Sequence, residues 1–99
     1  MENEVGYMIV EIKSTEKDGK HFVFSSSNIN GILYTDKEEC KKRFDHVLLG
    51  FTEYHDTHEN KNLVVSRRLS DDSYCFGFEN KKDKGLNYVI FQIVEVPIP

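Results

Sequence analysis

In Leu86-Asn87-Tyr88-Val89-Ile90-Phe91-Gln92-Ile93-Val94-Glu95-Val96, apolar residues occupy both parities of an extended chain. Val89, Phe91 and Ile93 fall on one side, and Leu86, Tyr88, Ile90, Val94 and Val96 on the other. Successive side chains of a strand point to opposite faces, so this segment reads as a strand that is buried on both. Pro97 and Pro99 end it, because proline has no N–H to give a ladder.

Working back from that strand, Asn80 to Gly85 is turn chemistry, Tyr74 to Glu79 a strand, Ser70 to Ser73 a turn and Leu63 to Leu69 another strand. At the other end, Val5 to Lys13 and Lys20 to Ser26 read as strands joined through Asp18-Gly19, a pair that tolerates positive φ. Asn28-Ile29-Asn30-Gly31 is a further turn. Between the two groups lies a helix. Thr35 is placed to cap it with Glu38 at the third position, and Gly50 marks its stop. Cys40, Phe44, Val47 and Leu48 form its apolar stripe. The expected fold is α+β: an antiparallel sheet of about five strands in the order β-β-α-β-β-β, with one helix packed on one face.

One helix covers one side of such a sheet. The second side is left to sheet curvature, to a long loop or to another chain. Residues 50–62 supply the long loop: they show no sustained period, and thirteen residues is long for a connection in so small a domain.

Composition narrows the function classes. Hydrophobic residues make up 38% and charged residues 30%, the balance of a globular chain, and 99 residues hold one domain over 1–99. Thirteen Lys and Arg against seventeen Asp and Glu give a net charge of −4, without the basic footprint of a general nucleic-acid binder. Ala and Trp are absent while Lys, Asn, Ile, Phe and Tyr abound, which fits an AT-rich bacterial or phage genome. Met1-Glu2-Asn3-Glu4 lacks the features of a secretory signal, and the longest purely apolar run is Tyr7 to Val10. A cytoplasmic protein with no membrane partner is expected. Cys40 and Cys75 match no metal spacing and read as small buried hydrophobes in a reducing compartment.

Motifs for catalysis are incomplete. His46, His55 and His58 cluster with Glu53, Asp56 and Glu59, but nothing fixes their convergence on a metal, and a solvated polar loop accounts for them. His46 is read as lying near the helix C-terminus, where a cation suits the dipole. His55-Asp56-Thr57 is a single His-x-Thr element, whereas a two-histidine phosphoesterase uses a pair as acid and base. Ser25 to Gly31 lacks the phosphate-loop pattern. Arg67 and Arg68 face opposite ways in a strand, Arg67 beside Leu63, Val65 and Leu69, where it pairs at the rim or reaches a partner.

The expected function is a small non-enzymatic protein-binding module of the inhibitor, immunity or regulatory kind. It is expected to need no cofactor and no metal, and to bind a protein partner or a second copy through the sheet face or the 50–62 loop. Phe51, Tyr54, His55, His58 and Arg67 are the expected contacts, with Tyr54 as aromatic anchor. The alternative is a small-ligand or nucleotide binder, with a pocket between sheet and helix or at a dimer interface, near Arg67, Arg68 or the serines. A histidine- or metal-dependent phosphoesterase-like enzyme is the third reading.

Overall fold

A computed structural model describes residues 4–17, 21–28, 31–57, 63–79 and 86–98, with the backbone alone at 15–17, 21–28 and 55–57. The strands are β1 (Val5–Lys17), β2 (His21–Asn28), β3 (Leu63–Ser70), β4 (Ser73–Glu79) and β5 (Leu86–Pro97), and the helix is α1 (Lys37–Thr57). They form an antiparallel sheet in the order β2-β1-β5-β4-β3. The α+β class, the antiparallel sheet and its single helix agree with the sequence reading. Element bounds differ from it. Of the expected turns, residues 18–20, 29–30 and 80–85 lie outside the described residues.

The register explains why β5 is apolar at both parities. It sits between β1 and β4, paired Ile9 to Ile93 on one side and Phe76 to Val89 on the other. On the helix side, Ile9, Phe91, Ile93 and Phe76 are buried and meet Cys40, Phe44 and Leu48 of α1. β2 and β3 are the two edges of the sheet, and α1 connects them in sequence. Four strand spacings amount to about 19 Å. The 21 residues of α1 rise about 31 Å, enough to carry the chain from one edge to the other. Gly31, at φ 64°, turns the chain out of the β2 edge, and Tyr7 and Tyr34 then exchange N–H···O bonds of 2.7 Å each.

Two features of α1 correct the sequence reading. The cap is Asp36, not Thr35: the Asp36 carboxylate accepts the Glu38 N–H at 3.0 Å and its carbonyl accepts the Cys40 N–H at 3.1 Å. A carboxylate here also meets the positive end of the helix dipole, which a hydroxyl does not. Nor does the helix stop at Gly50. It runs to Thr57, so residues 50–57 are helix rather than loop, and 58–62 lie outside the described residues.

The reason is Phe51. Its ring lies 4.4 Å from Phe76 and 5.1 Å from Phe91, centroid to centroid, and extends the Cys40–Phe44–Leu48 stripe by three residues. Glycine inside a helix costs about 1 kcal/mol. Burying much of an aromatic ring gains about 2 kcal/mol, so tertiary packing carries the helix through.

Phe44→Ala should lower stability by about 3–4 kcal/mol, as for any fully buried ring. Asp36→Ala should lose about 1 kcal/mol through the cap, while Thr35→Ala stays within about 0.5 kcal/mol. Gly50→Ala, where an added Cβ meets no atom within 4 Å, should raise stability by about 0.5–1 kcal/mol. Denaturant midpoints measured on the four variants decide each sign.

Candidate functional site

The face of the sheet opposite α1 is built in rows across β1, β5, β4 and β3. One row is Ile12, Ile90, Cys75 and Arg67; the next is Ser14, Tyr88, Gly77 and Val65. Towards the other end, Met8 stands beside Val94, and Gly6 beside Val96. Leu33, itself exposed, lies over Gly6, where an added Cβ would come within 2.8 Å of its side chain. Gly77 has the same role in the middle of the face. A Cβ there would meet Val65 at 2.9 Å and Tyr88 at 3.2 Å, so glycine lets the two close over the strand.

Along this face Met8, Ile12, Val65, Tyr88, Ile90 and Val94 are half-buried. α1, the one helix among the described residues, lies on the far side. Of the described Asp, Glu, Lys and Arg side chains, strand alternation places Arg67 and Glu79 on this face, both exposed.

The expected contacts are distributed unevenly. Arg67 is on the open face, as its strand parity predicts. Leu63 is not its neighbour there: a register shift between Leu63 and Val65 turns Leu63 towards the helix core. Arg68 faces the helix side, 5.7 Å above the Tyr74 ring, and donates to the Asp71 carbonyl at 3.1 Å. Phe51 is a core residue of α1 and not a loop anchor, because its ring is held by Phe76, Phe78 and Phe91. Tyr54 is exposed on α1. His55 is in the last turn of α1, with its side chain outside the description, and His58 lies outside the described residues.

His46 is exposed in mid-helix and not at the C-terminus, so the dipole role expected for it has no basis. Nine residues along one helix put positions 46 and 55 about 13.5 Å apart, too far to share one ion. Among the described residues no three His, Cys, Asp or Glu side chains are grouped to hold a metal ion.

Sequence reasoning missed two charged pairs on the helix side. At one end Lys37 Nζ lies 3.3 Å from Asp72 Oδ2, and that hydrogen bond holds the Lys37 pKa above its usual value. At the other end Lys13 Nζ lies 3.2 Å from Glu11 Oε1. These two residues and Phe51, Phe78 and Val89 line a groove that is largely open to solvent. A signal for it existed. The Tyr7–Ile9 face of β1 turns charged at Glu11 and Lys13, whereas the β5 residues opposite them, Phe91 and Val89, stay apolar.

No helix among the described residues is long and apolar enough to cross a membrane. Comparisons with protein-family models, with curated proteins and with solved structures find no match to this chain.

Both cysteines are free and buried, and burial raises both thiol pKa values; Asp72 adds to the effect at Cys40, and Arg67 opposes it at Cys75. A thiol pKa raised in the folded state contributes stability below the unfolded value of about 8.5, and that contribution is lost as pH rises through the folded value. Ellman's reagent at pH 7.5 should therefore titrate neither thiol until denaturant is added. The denaturant midpoint should fall between about pH 8 and pH 10, less so in Cys40→Ala.

Proposed function

We propose that this chain is a small protein-binding module of the inhibitor, immunity or regulatory kind. It acts through the sheet face opposite α1 rather than by catalysis, and in the cytoplasm, where its thiols stay reduced. The observation that supports this is the apolar face itself. It carries Met8, Val94, Ile12, Ile90, Tyr88 and Val65, with Gln92 and Ser73 in the row between Met8 and Ile12, and the helix that could bury them lies on the other side. Contiguous apolar surface of this kind marks protein interaction sites.

The first occupant to test is a second copy. A two-fold interface needs a self-complementary surface, and the described part of this face holds one cation and one anion, Arg67 and Glu79, around an apolar middle. Back-to-back packing of two such faces sets sheets about 10 Å apart with their side chains interdigitated.

Sedimentation velocity at micromolar concentration should give a dimer. Ile90→Glu should give a folded monomer whose thermal melt no longer depends on protein concentration, since the substituted side chain points away from the helix core. A wild-type monomer throughout the micromolar range removes the self-association. The docking reading then requires a different protein whose capture is lost in Ile90→Glu. Equal capture by wild type and Ile90→Glu overturns the face as the site.

A further inference from the structure

We infer that the edge strand β2 pairs with β2 of a second copy, antiparallel across a two-fold axis at Val23, and so joins two sheets into one. This surface is separate from the open face and does not rest on it.

The two edges of the sheet differ. Among the described residues β2 pairs with β1 alone, from His21 opposite Lys17 to Asn28 opposite Val10, without a register shift. Each residue of an antiparallel strand turns its N–H and C=O to one side, and successive residues alternate. Every second residue of β2 therefore presents both groups to the outer edge, where a further strand can continue the ladder. Charge, proline and bulges ordinarily protect an edge from such addition. β3 has register shifts at Leu63/Val65 and Arg68/Ser70 and carries Arg67 and Arg68. From His21 to Asn28 there is no Asp, Glu, Lys, Arg or Pro.

The sequence of β2 names the occupant. Across a two-fold axis, residue i of one copy faces residue j while j faces i. Phe22-Val23-Phe24 reads the same in both directions. Antiparallel pairing centred on Val23 sets Val23 opposite Val23, Phe22 opposite Phe24 and His21 opposite Ser25. Aromatic and β-branched pairs stabilise a ladder, and no like charges are opposed here. The outer edges of the joined sheet are then both β3, the protected strand, so addition stops at two copies. Pairing over residues 21–25 buries far less than the roughly 1,200 Å² of a stable interface, which sets a dissociation constant on the order of 100 µM to 1 mM. It is therefore sparsely populated at the micromolar concentrations that test the open face.

Ile90→Glu disables the open face, so any association it retains belongs to the edge. Its sedimentation equilibrium up to about 1 mM should follow an isotherm that stops at the dimer. Amide shifts that change with concentration should cluster at residues 21–25. Adding Val23→Lys or Val23→Glu sets like charges opposite each other and should weaken the dimer about tenfold, while an equimolar mixture of the two should restore it. Asn28→Lys, beyond the paired stretch, should not weaken it. A monomer throughout this range, growth past the dimer, shifts centred on Ile12 and Cys75, or equal loss in Val23→Lys and Asn28→Lys each overturns the pairing. The same shift series on the wild-type chain decides the matter, should Ile90→Glu fold poorly.

Discussion

The ring of Phe51, set against Phe76 at 4.4 Å and Phe91 at 5.1 Å, fixes how far α1 runs, and much of the architecture depends on that length. Without it the helix has Gly50 as a stop and three fully turned-in anchors, Cys40, Phe44 and Leu48, on its N-terminal half. With it the helix spans 21 residues and lies over the inner strands β1 and β5. The chain can then leave the sheet at β2, one edge, and return at β3, the other. The connection between edges is made on one face alone. The same contact that closes the helix side consigns the other side of the sheet to whatever lies outside α1.

The order of the strands sharpens this consequence. β1, β5 and β4 are the inner strands, and each carries apolar residues on both parities: Ile9 against Val10 and Ile12, Phe91 against Ile90, Phe76 against Cys75. The edge strand β3 is different. It has a register shift beside Val64, two adjacent arginines and a mostly exposed surface. Bulges and charge on an edge resist strand-to-strand addition. Apolar surface in the middle of a face beside the protected β3 edge favours face-to-face docking over extension of the sheet at that edge.

Much of this was legible in the sequence. The parity of β5 marks it as a strand apolar on both faces, and the alternation of Arg67 and Arg68 places them on opposite faces. What was missed follows from interactions that local pattern does not contain. Gly50 is a strong local stop, and its penalty is overridden by Phe76 and Phe91, which lie 26 and 41 residues further along. Thr35 and Asp36 are both competent caps, and the two-residue offset between Asp36 and the Glu38 N–H is visible only in the backbone. Lys37 and Asp72 meet because the β3–β4 turn packs by the helix start, where the Ile93 N–H donates to the Asp72 carbonyl at 2.8 Å. The Glu11–Lys13 pair was missed for another reason. Charged residues in a strand read as its wet side, and β1 has its charges on the side that turns wet only where α1 no longer covers it.

β1 therefore serves two surfaces at once. Val10 and Ile12 face away from the helix, while Glu11 and Lys13 line the groove on the helix side, and they alternate along one backbone. Alternation keeps the two sets of side chains apart, since residues on opposite faces of a strand share no side-chain partner. What they share is the position of β1 itself, held by eleven paired residues against β5. Coupling between the two faces must then pass through movement of the whole β1–β5 ladder. A paired inner ladder is the stiffest part of a sheet, so side chains of the two faces should act additively, as separated positions without shared partners do.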